Sequence, residues 1–336
     1  MHNGKDTISG CEAQRQRAIL VLGPGRSGTS TLTRALDALG VYLGSDFRRP
    51  VRKNPRGNQE EVHLLKLSKR VRNSVGLRAD SVRLIDDAAF DNPRTRALAE
   101  RMEQAIRHYF DTSPVWAFKY AGTGRLLPVW FDLLARMNIE PAFVFAYRNP
   151  LSVARSRARL DRMRGRLEQN NLEWLATVVP CFSRLQGQTV VVVDYDRLLD
   201  NPDRELRRIA VGLNLPLTEE SEERIRHFSE TFLRTDWRHT RYSDADLETD
   251  TYLHPLVRRS ALLLSHLARD QADLGDPRVW DEWRAIDRLH REQAPVLRLV
   301  DQLNADNRRG RWWDLRRPLK LAWNKMPLPY LFGRHR

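Results

Sequence analysis

The chain has 336 residues, 41% of them hydrophobic, enough to bury a substantial core in one large domain or two. Its formal charge of +14 is spread along the chain rather than gathered in a reader helix, so it reads as a solvated basic surface or an attraction for anionic ligands, not a nucleic-acid interface. Cys11 and Cys181 make no metal or redox spacing, residues 1–17 hold no apolar core of signal-peptide length, and no segment approaches the roughly 20 apolar residues of a membrane span.

Residues 1–17 are expected to be a flexible N-terminus, and the first predicted element follows them. Ala18 to Leu22 is a short apolar run of the kind a buried strand shows. Gly23, Pro24, Gly25 and Arg26 make a turn, and a helix opens at Ser27, Gly28, Thr29 and Ser30. Glycines let the backbone aim N–H groups at an anion, and the helix start adds its own unpaired N–H groups and dipole. A nucleotide triphosphatase would need G-x-x-x-x-G-K-[ST] here. From Gly23 the chain reads GPGRSG and then Thr29-Ser30, without the lysine that reaches the outer phosphates. The cation is Arg26, two residues before the second glycine, where its forked donors suit an oxyanion beside the innermost phosphate. The loop therefore fits a monophosphate ester carrying a transferable group.

A basic loop, Arg48 to Arg56, leads to a helix running through about Asn73, and Arg94 to Tyr109 has helical periodicity. Val115 to Trp130 reads VWAFKYAGTGRLLPVW, with Lys119 at a strand end and a helix from Pro128 to Met137. Lys119 stands out because the chain has only seven lysines against fifty arginines. Ala142 to Tyr147 is a second buried strand, Asn149 a cap and Pro150 the first residue of the next helix. Arg148 falls at the carboxyl end of that strand, where open α/β sheets bind ligands; Ser152 and Ser156 share one face of the helix. A magnesium-dependent triphosphatase would want an aspartate where Tyr147 and Arg148 stand. After a helix over Leu172 to Leu185, Thr189 to Val193 is the third strand, leading into Asp194, Tyr195, Asp196, Arg197 and Leu198. Asn201-Pro202 opens a helix to about Leu213, Glu219 to Phe232 is another, Arg234 to Tyr252 is polar and irregular, and Leu256 to Arg269 and Arg278 to Asn304 are helical. Helices alternating with three apolar runs predict a parallel sheet with right-handed crossovers.

GPGRSGTSTL resembles the 5′-phosphosulfate loop of sulfotransferases that use 3′-phosphoadenosine 5′-phosphosulfate (PAPS). PAFVFAYRNPLSVARSRARL, Pro141 to Leu160, is similar to their 3′-phosphate motif. The resemblance covers roughly Ala18 to Gly212. It implies a P-loop-like three-layer α/β/α fold with a central parallel sheet, assigned to 18–255; beyond it the helix patterns alone predict a helical C-terminal extension with a basic-aromatic tail, 256–336. It implies that Gly25, Arg26, Ser27, Gly28, Thr29 and Ser30 hold the 5′ end of PAPS, that Arg148 and Ser156 hold the 3′-phosphate, and that Tyr195 lies near the cofactor. Arg26 would serve the leaving oxygen. Asn54 to Glu60, NPRGNQE, is similar to the family stretch whose glutamate is the base, which makes Glu60 the first choice; Glu61, His63, His227 and His239 are the alternatives. Lys119 and the Leu126 to Trp130 block match a family pattern, whereas Tyr120, Ala121 and Gly122 replace its Asp-Pro-Arg, and Asn58 and Gln59 replace the aromatics before the glutamate. Lys119 is taken as a third catalytic candidate, and no metal is required. Arg234, Arg238 and His239 are candidates for a late loop over the 3′-phosphate.

The expected reaction is sulfuryl transfer to a hydroxyl of a small molecule, carbohydrate or glycolipid, in the cytoplasm. Two other classes compete: a P-loop kinase or phosphotransferase, and a noncatalytic nucleotide-binding protein on the same fold. In the tail, 308–336, Trp312, Trp313, Trp323, Tyr330 and Phe332 alternate with cations. Three readings of it stay open: packing over the core, filling the groove of a homodimer, and peripheral contact with the inner membrane, which would suit a lipid-linked acceptor.

Overall fold

The computed structural model describes residues 15–47, 59–159, 166–232 and 241–307. Four parallel strands, β1 (Arg17–Leu22), β2 (Val115–Lys119), β3 (Glu140–Tyr147) and β4 (Thr189–Asp194), form one sheet in the order β2-β1-β3-β4. Val21 lies beside Lys119 on one side and Val144 on the other, and Tyr147 lies beside Asp194, so all four carboxyl ends emerge along one edge. The chain runs outward from β1 to β2 and then crosses back to β3 on the far side of β1. The carboxyl ends of β1 and β3 thus flank the switch point at which such sheets open a crevice. Besides the three apolar runs, the strand expected to end at Lys119 is β2, an edge strand whose Trp116 is fully buried and bridges to Tyr42.

The helices are α1 (Thr29–Ala38), α2 (Val62–Ser74), α3 (Pro93–Phe110), α4 (Leu127–Arg136), α5 (Pro150–Ala158), α6 (Leu167–Ser183), α7 (Tyr195–Asp200), α8 (Pro202–Gly212), α9 (Glu219–His227), α10 (Asp244–Thr249), α11 (Pro255–Ala268) and α12 (Pro277–Glu292), then a helix over 294–307. Alternate strand residues face opposite layers. Ile19, Val21 and Val144 pack with Leu32 and Leu36 of α1, Ile209 of α8 and Ile225 of α9. Leu20, Phe143 and Phe145 pack on the other side with Trp130, Trp174, Phe182 and Trp283. Each such buried aromatic removes on the order of 200 Å² from water, a gross gain of roughly 5 kcal/mol before entropy. The C-terminal helices share that core: the Phe182 ring lies 4.5 Å from Trp283 and 5.5 Å from Trp280, and the Trp283 indole donates to Ser183 Oγ at 3.1 Å.

Element boundaries differ from the sequence pattern at three places, each for a local reason. The helix expected over Arg278 to Asn304 breaks at Gln293, because Pro295 has no N–H and its ring clashes with the preceding turn. The segment expected to be irregular from Arg234 to Tyr252 contains α10, opened by a capping box between Ser243 and Asp246. The helix expected to run from Glu219 to Phe232 is α-helical only to His227 and continues as a π turn, Phe228–Phe232. Among the described residues no helix is long and apolar enough to cross a membrane. Cys11, Arg234, Arg238, His239 and the tail at 308–336 lie outside the described residues.

His290 of α12 is fully buried, and neither ring nitrogen has a hydrogen-bond partner among the described residues. Burial pushes its pKa from 6.5 down to about 4, so the folded state keeps the ring neutral. The unfolded chain then binds the proton more readily, and stability that is complete above about pH 6.5 is lost as pH falls towards 4, by roughly 2 kcal/mol at pH 5. Urea unfolding of His290→Leu is expected to show a smaller stability loss between pH 7 and pH 5 than wild type by about that amount. An identical loss in both proteins would remove His290 as the source.

Candidate active site

The loop after β1 is shaped by three residues with left-handed backbone. Gly23 (φ 127°), Arg26 (φ 78°) and Gly28 (φ 88°) interrupt residues of ordinary geometry, the kind of backbone that can aim N–H groups at an anion. A Cβ on Gly23 would lie 2.6 Å from the Ala146 carbonyl oxygen, and one on Gly28 only 2.0 Å from the Tyr195 ring. Both glycines are therefore dictated by contact as well as by φ. Ser27 is fully buried, and its hydroxyl donates to the Pro24 carbonyl at 2.7 Å, holding the turn from within. Thr29 is buried and Ser30 half-buried at the start of α1, whose first turn carries no acidic residue, so its N-terminal field is left open to an anion.

Around this loop the switch point assembles a cluster from distant parts of the sequence. Arg148, at the end of β3, is 7% exposed, donates to the Arg26 carbonyl at 3.2 Å and stands 4.7 Å from the centroid of the Tyr195 ring. Asn149 caps α5 by accepting from the Leu151 N–H at 3.0 Å, which fixes the helix that presents Ser156. Arg26 Nε donates to Ser156 Oγ at 3.1 Å. Ser152, on the same helix, is fully buried, so of that pair it is Ser156 that reaches the loop. Tyr195 opens α7, whose cap is the Asp194 carboxylate accepting from the Asp196 N–H at 2.8 Å. Partial burial, and after it the charge of Arg148, lower the pKa of the Arg26 guanidinium. Burial raises Asp194 to about 6.

A second cluster lies at the end of β2. Lys119 Nζ bonds Glu60 Oε1 at 3.1 Å, with the lysine 3% and the glutamate 6% exposed. Glu60 lies two residues before α2, and its neighbour Glu61 is the α2 cap, accepting from the N–H groups of His63 and Leu64 at 2.9 and 2.7 Å. Among the alternative bases, Glu61 is thus held by the helix terminus, and His63 sits between Glu61 and Tyr109, with its ring stacked 4.7 Å from that tyrosine. His227 is exposed on α9. Asn54 to Asn58, the rest of the stretch before Glu60 and Gln59, lie outside the described residues.

A cavity of about 320 Å³ opens beside the loop, running from Gly25 and Arg26 to Tyr120, Ala121 and Gly122, the residues that follow Lys119. The Tyr120 ring folds back over Gly122, where a Cβ would lie 2.6 Å from its Cε1, and its hydroxyl accepts from Arg72 Nη1 at 3.0 Å. Arg157 enters from α5, bonding Glu173 Oε2 at 2.8 Å and reaching the Gly25 carbonyl at 3.4 Å. Arg72, Arg125 and Arg157 were not singled out by sequence. Arg157 sits directly after Ser156 in ARSRARL, where nothing marks one arginine from the next.

A glycine-rich loop before a helix start and a buried arginine meet at the switch point of a parallel α/β sheet. The family comparison goes further: residues 18–219 match the model of the sulfotransferase family, and the chain belongs to that family, whose chemistry is sulfuryl transfer. Two solved structures are similar at low identity. Sulfotransferase STF9 from Mycobacterium avium is 18% identical with a TM-score of 0.42, over 65% of this chain and 68% of its own. The sulfotransferase domain of the Synechococcus PCC 7002 olefin synthase is 15% identical with a TM-score of 0.38, over 83% of this chain and 98% of its own. No curated protein gives a significant match.

Proposed function

We propose that the chain transfers a sulfuryl group from PAPS to a hydroxyl, with a carbohydrate or glycolipid as the acceptor class. The observation that carries this reading is the convergence of Arg26, Arg148, Ser156 and Tyr195 on one glycine loop that lacks the lysine a triphosphate requires. The residues present suit a 3′,5′-substituted nucleotide: a loop whose tight path only glycine at 23 and 28 allows, a helix start free of acid, and a buried arginine beside it. PAPS would supply the activated sulfuryl group, and the chain's residues would supply position and charge. The loop N–H groups and Arg26 would bind the 5′-phosphosulfate, Arg148 and Ser156 the 3′-phosphate, and Tyr195 would cover the loop. Glu60, oriented by Lys119, would take the acceptor proton. Positioning and fixed charge account for most of such a group transfer.

Incubation with a cell extract tests this reading against the kinase reading. Label from PAPS carrying ³⁵S in its sulfuryl group is expected to enter an acid-stable product, and label from γ-³²P ATP is not. Transfer from ATP alone would reverse the assignment.

A further inference from the structure

The cavity beside the donor loop is far more cationic than a donor site needs. Among its described lining residues are Arg26, Lys69, Arg72, Arg78, Arg125 and Arg157, and the one carboxylate is Glu173, which is bound to Arg157. Arg72 has neutral partners in the Tyr120 hydroxyl and the Asn73 side-chain oxygen, the latter at 2.9 Å from Nη2. Arg125 is held by the backbone carbonyls of Ser81 and Arg83; burial lowers its pKa to about 10, which leaves it charged at neutral pH. Arg78 pairs with Asp80 at 3.5 Å and Arg157 with Glu173, but six lining cations against one lining carboxylate on low-dielectric walls still repel one another and focus a positive potential into the space between.

The donor does not account for this wall. In the proposed reading its charges are met by the β1 loop, the α1 start and Arg148, all on the β1 and β3 side of the switch point. Arg72, Arg78 and Arg125 come instead from α2, from the turn after it, and from the 3₁₀ turn Thr123–Leu126 beyond β2, facing the donor loop across the cavity. The positive surface also continues outward. A groove of about 600 Å³ shares Lys69 with the cavity and adds Lys66, Arg70 and Arg101, with no carboxylate among its described lining residues.

We infer that the acceptor is anionic: a polyol or sugar phosphate, soluble or lipid-linked, whose phosphate is bound by Arg72 and Lys69 while its hydroxyl faces Arg26 at the donor loop. This rests on the sulfotransferase reading and adds the charge of the substrate to it. Sulfuryl transfer itself leaves that phosphate untouched: the acceptor oxygen bonds sulfur, the bond from sulfur to the bridging oxygen breaks, and the hydroxyl proton leaves to the base.

The test uses the full chain saturated with 3′,5′-adenosine bisphosphate at physiological salt, so that the donor site is filled. Isothermal titration compares glucose 6-phosphate with glucose, and monomeric dihexanoyl phosphatidylglycerol with dihexanoyl phosphatidylcholine. One of the anionic probes is expected to bind at least about tenfold more tightly than its comparator, the gain of a charge-assisted hydrogen bond. Which pair shows the gain tells a soluble from a lipid-linked source. Arg72→Gln and Lys69→Gln are each expected to remove about tenfold of that affinity, with bisphosphate affinity intact as the check on folding. Equal binding of charged and neutral probes to the bisphosphate complex would overturn the inference, as would a preference that survives both substitutions. Failure of the bisphosphate itself to bind would instead overturn the donor reading, and is seen separately in the first titration.

Discussion

Arg148→Ala is expected to weaken 3′,5′-adenosine bisphosphate about 100-fold and 5′-AMP by less than about threefold, as measured by calorimetry; removing one partner of a buried, charge-assisted contact costs roughly 2–5 kcal/mol. The side chain is 7% exposed and fixed from two sides, by the Arg26 carbonyl and the Tyr195 ring, so its guanidinium is in place before any ligand arrives. A pre-placed cation loses little entropy on binding. AMP is the discriminating control, since it uses the same loop and lacks only the 3′-phosphate. Arg148→Lys is expected to recover part of the loss, because it restores the charge and not the fork. Equal losses for bisphosphate and AMP would mean that Arg148 shapes the loop without binding the 3′-phosphate.

Glu60→Gln is expected to lower the rate of sulfuryl transfer about 10²- to 10⁴-fold, the usual worth of a positioned general base, with bisphosphate affinity unchanged. The carboxylate is buried, held by Lys119 at 3.1 Å, and stands at the end of the strand beside β1. Glutamine keeps the shape and the hydrogen-bonding oxygen but takes no proton. Lys119→Met tests the other half of the pair and carries a separate signature: breaking a buried ion pair costs roughly 3–5 kcal/mol of stability, so its melting temperature falls along with its turnover. Turnover that survives Glu60→Gln would move the proton transfer to another group.

The turn between β1 and α1 was legible because glycine spacing between an apolar run and a helix start is a local signal. Arg148 and Ser156 were legible for the same reason, as a strand end followed by Asn149-Pro150 and a helix face. What stayed hidden depends on tertiary placement. The left-handed backbone of Arg26 at φ 78° is imposed by a turn whose neighbours are Ala146, Tyr195 and Ser156 from other elements. The resemblance brought Glu60 and Lys119 forward separately, but their ion pair spans 59 positions and leaves no mark in either neighbourhood. Glu61 looked like a second candidate base until the structure showed its carboxylate occupied by two helix N–H groups. The cationic cavity is drawn from α2, the turn after it, the 3₁₀ turn past β2 and α5, and in a chain with fifty arginines none of those residues is conspicuous. Where Tyr120, Ala121 and Gly122 stand in place of Asp-Pro-Arg, the consequence comes from packing: Gly122 accommodates the ring of Tyr120, and Tyr120 in turn receives Arg72.

The most direct test of the central claim is equilibrium binding of 3′,5′-adenosine bisphosphate, ATP and AMP to the full chain, each with and without magnesium. The bisphosphate is expected to bind most tightly, at least tenfold better than AMP, with no dependence on the metal. Binding by ATP with magnesium, and none by the bisphosphate, would contradict the account.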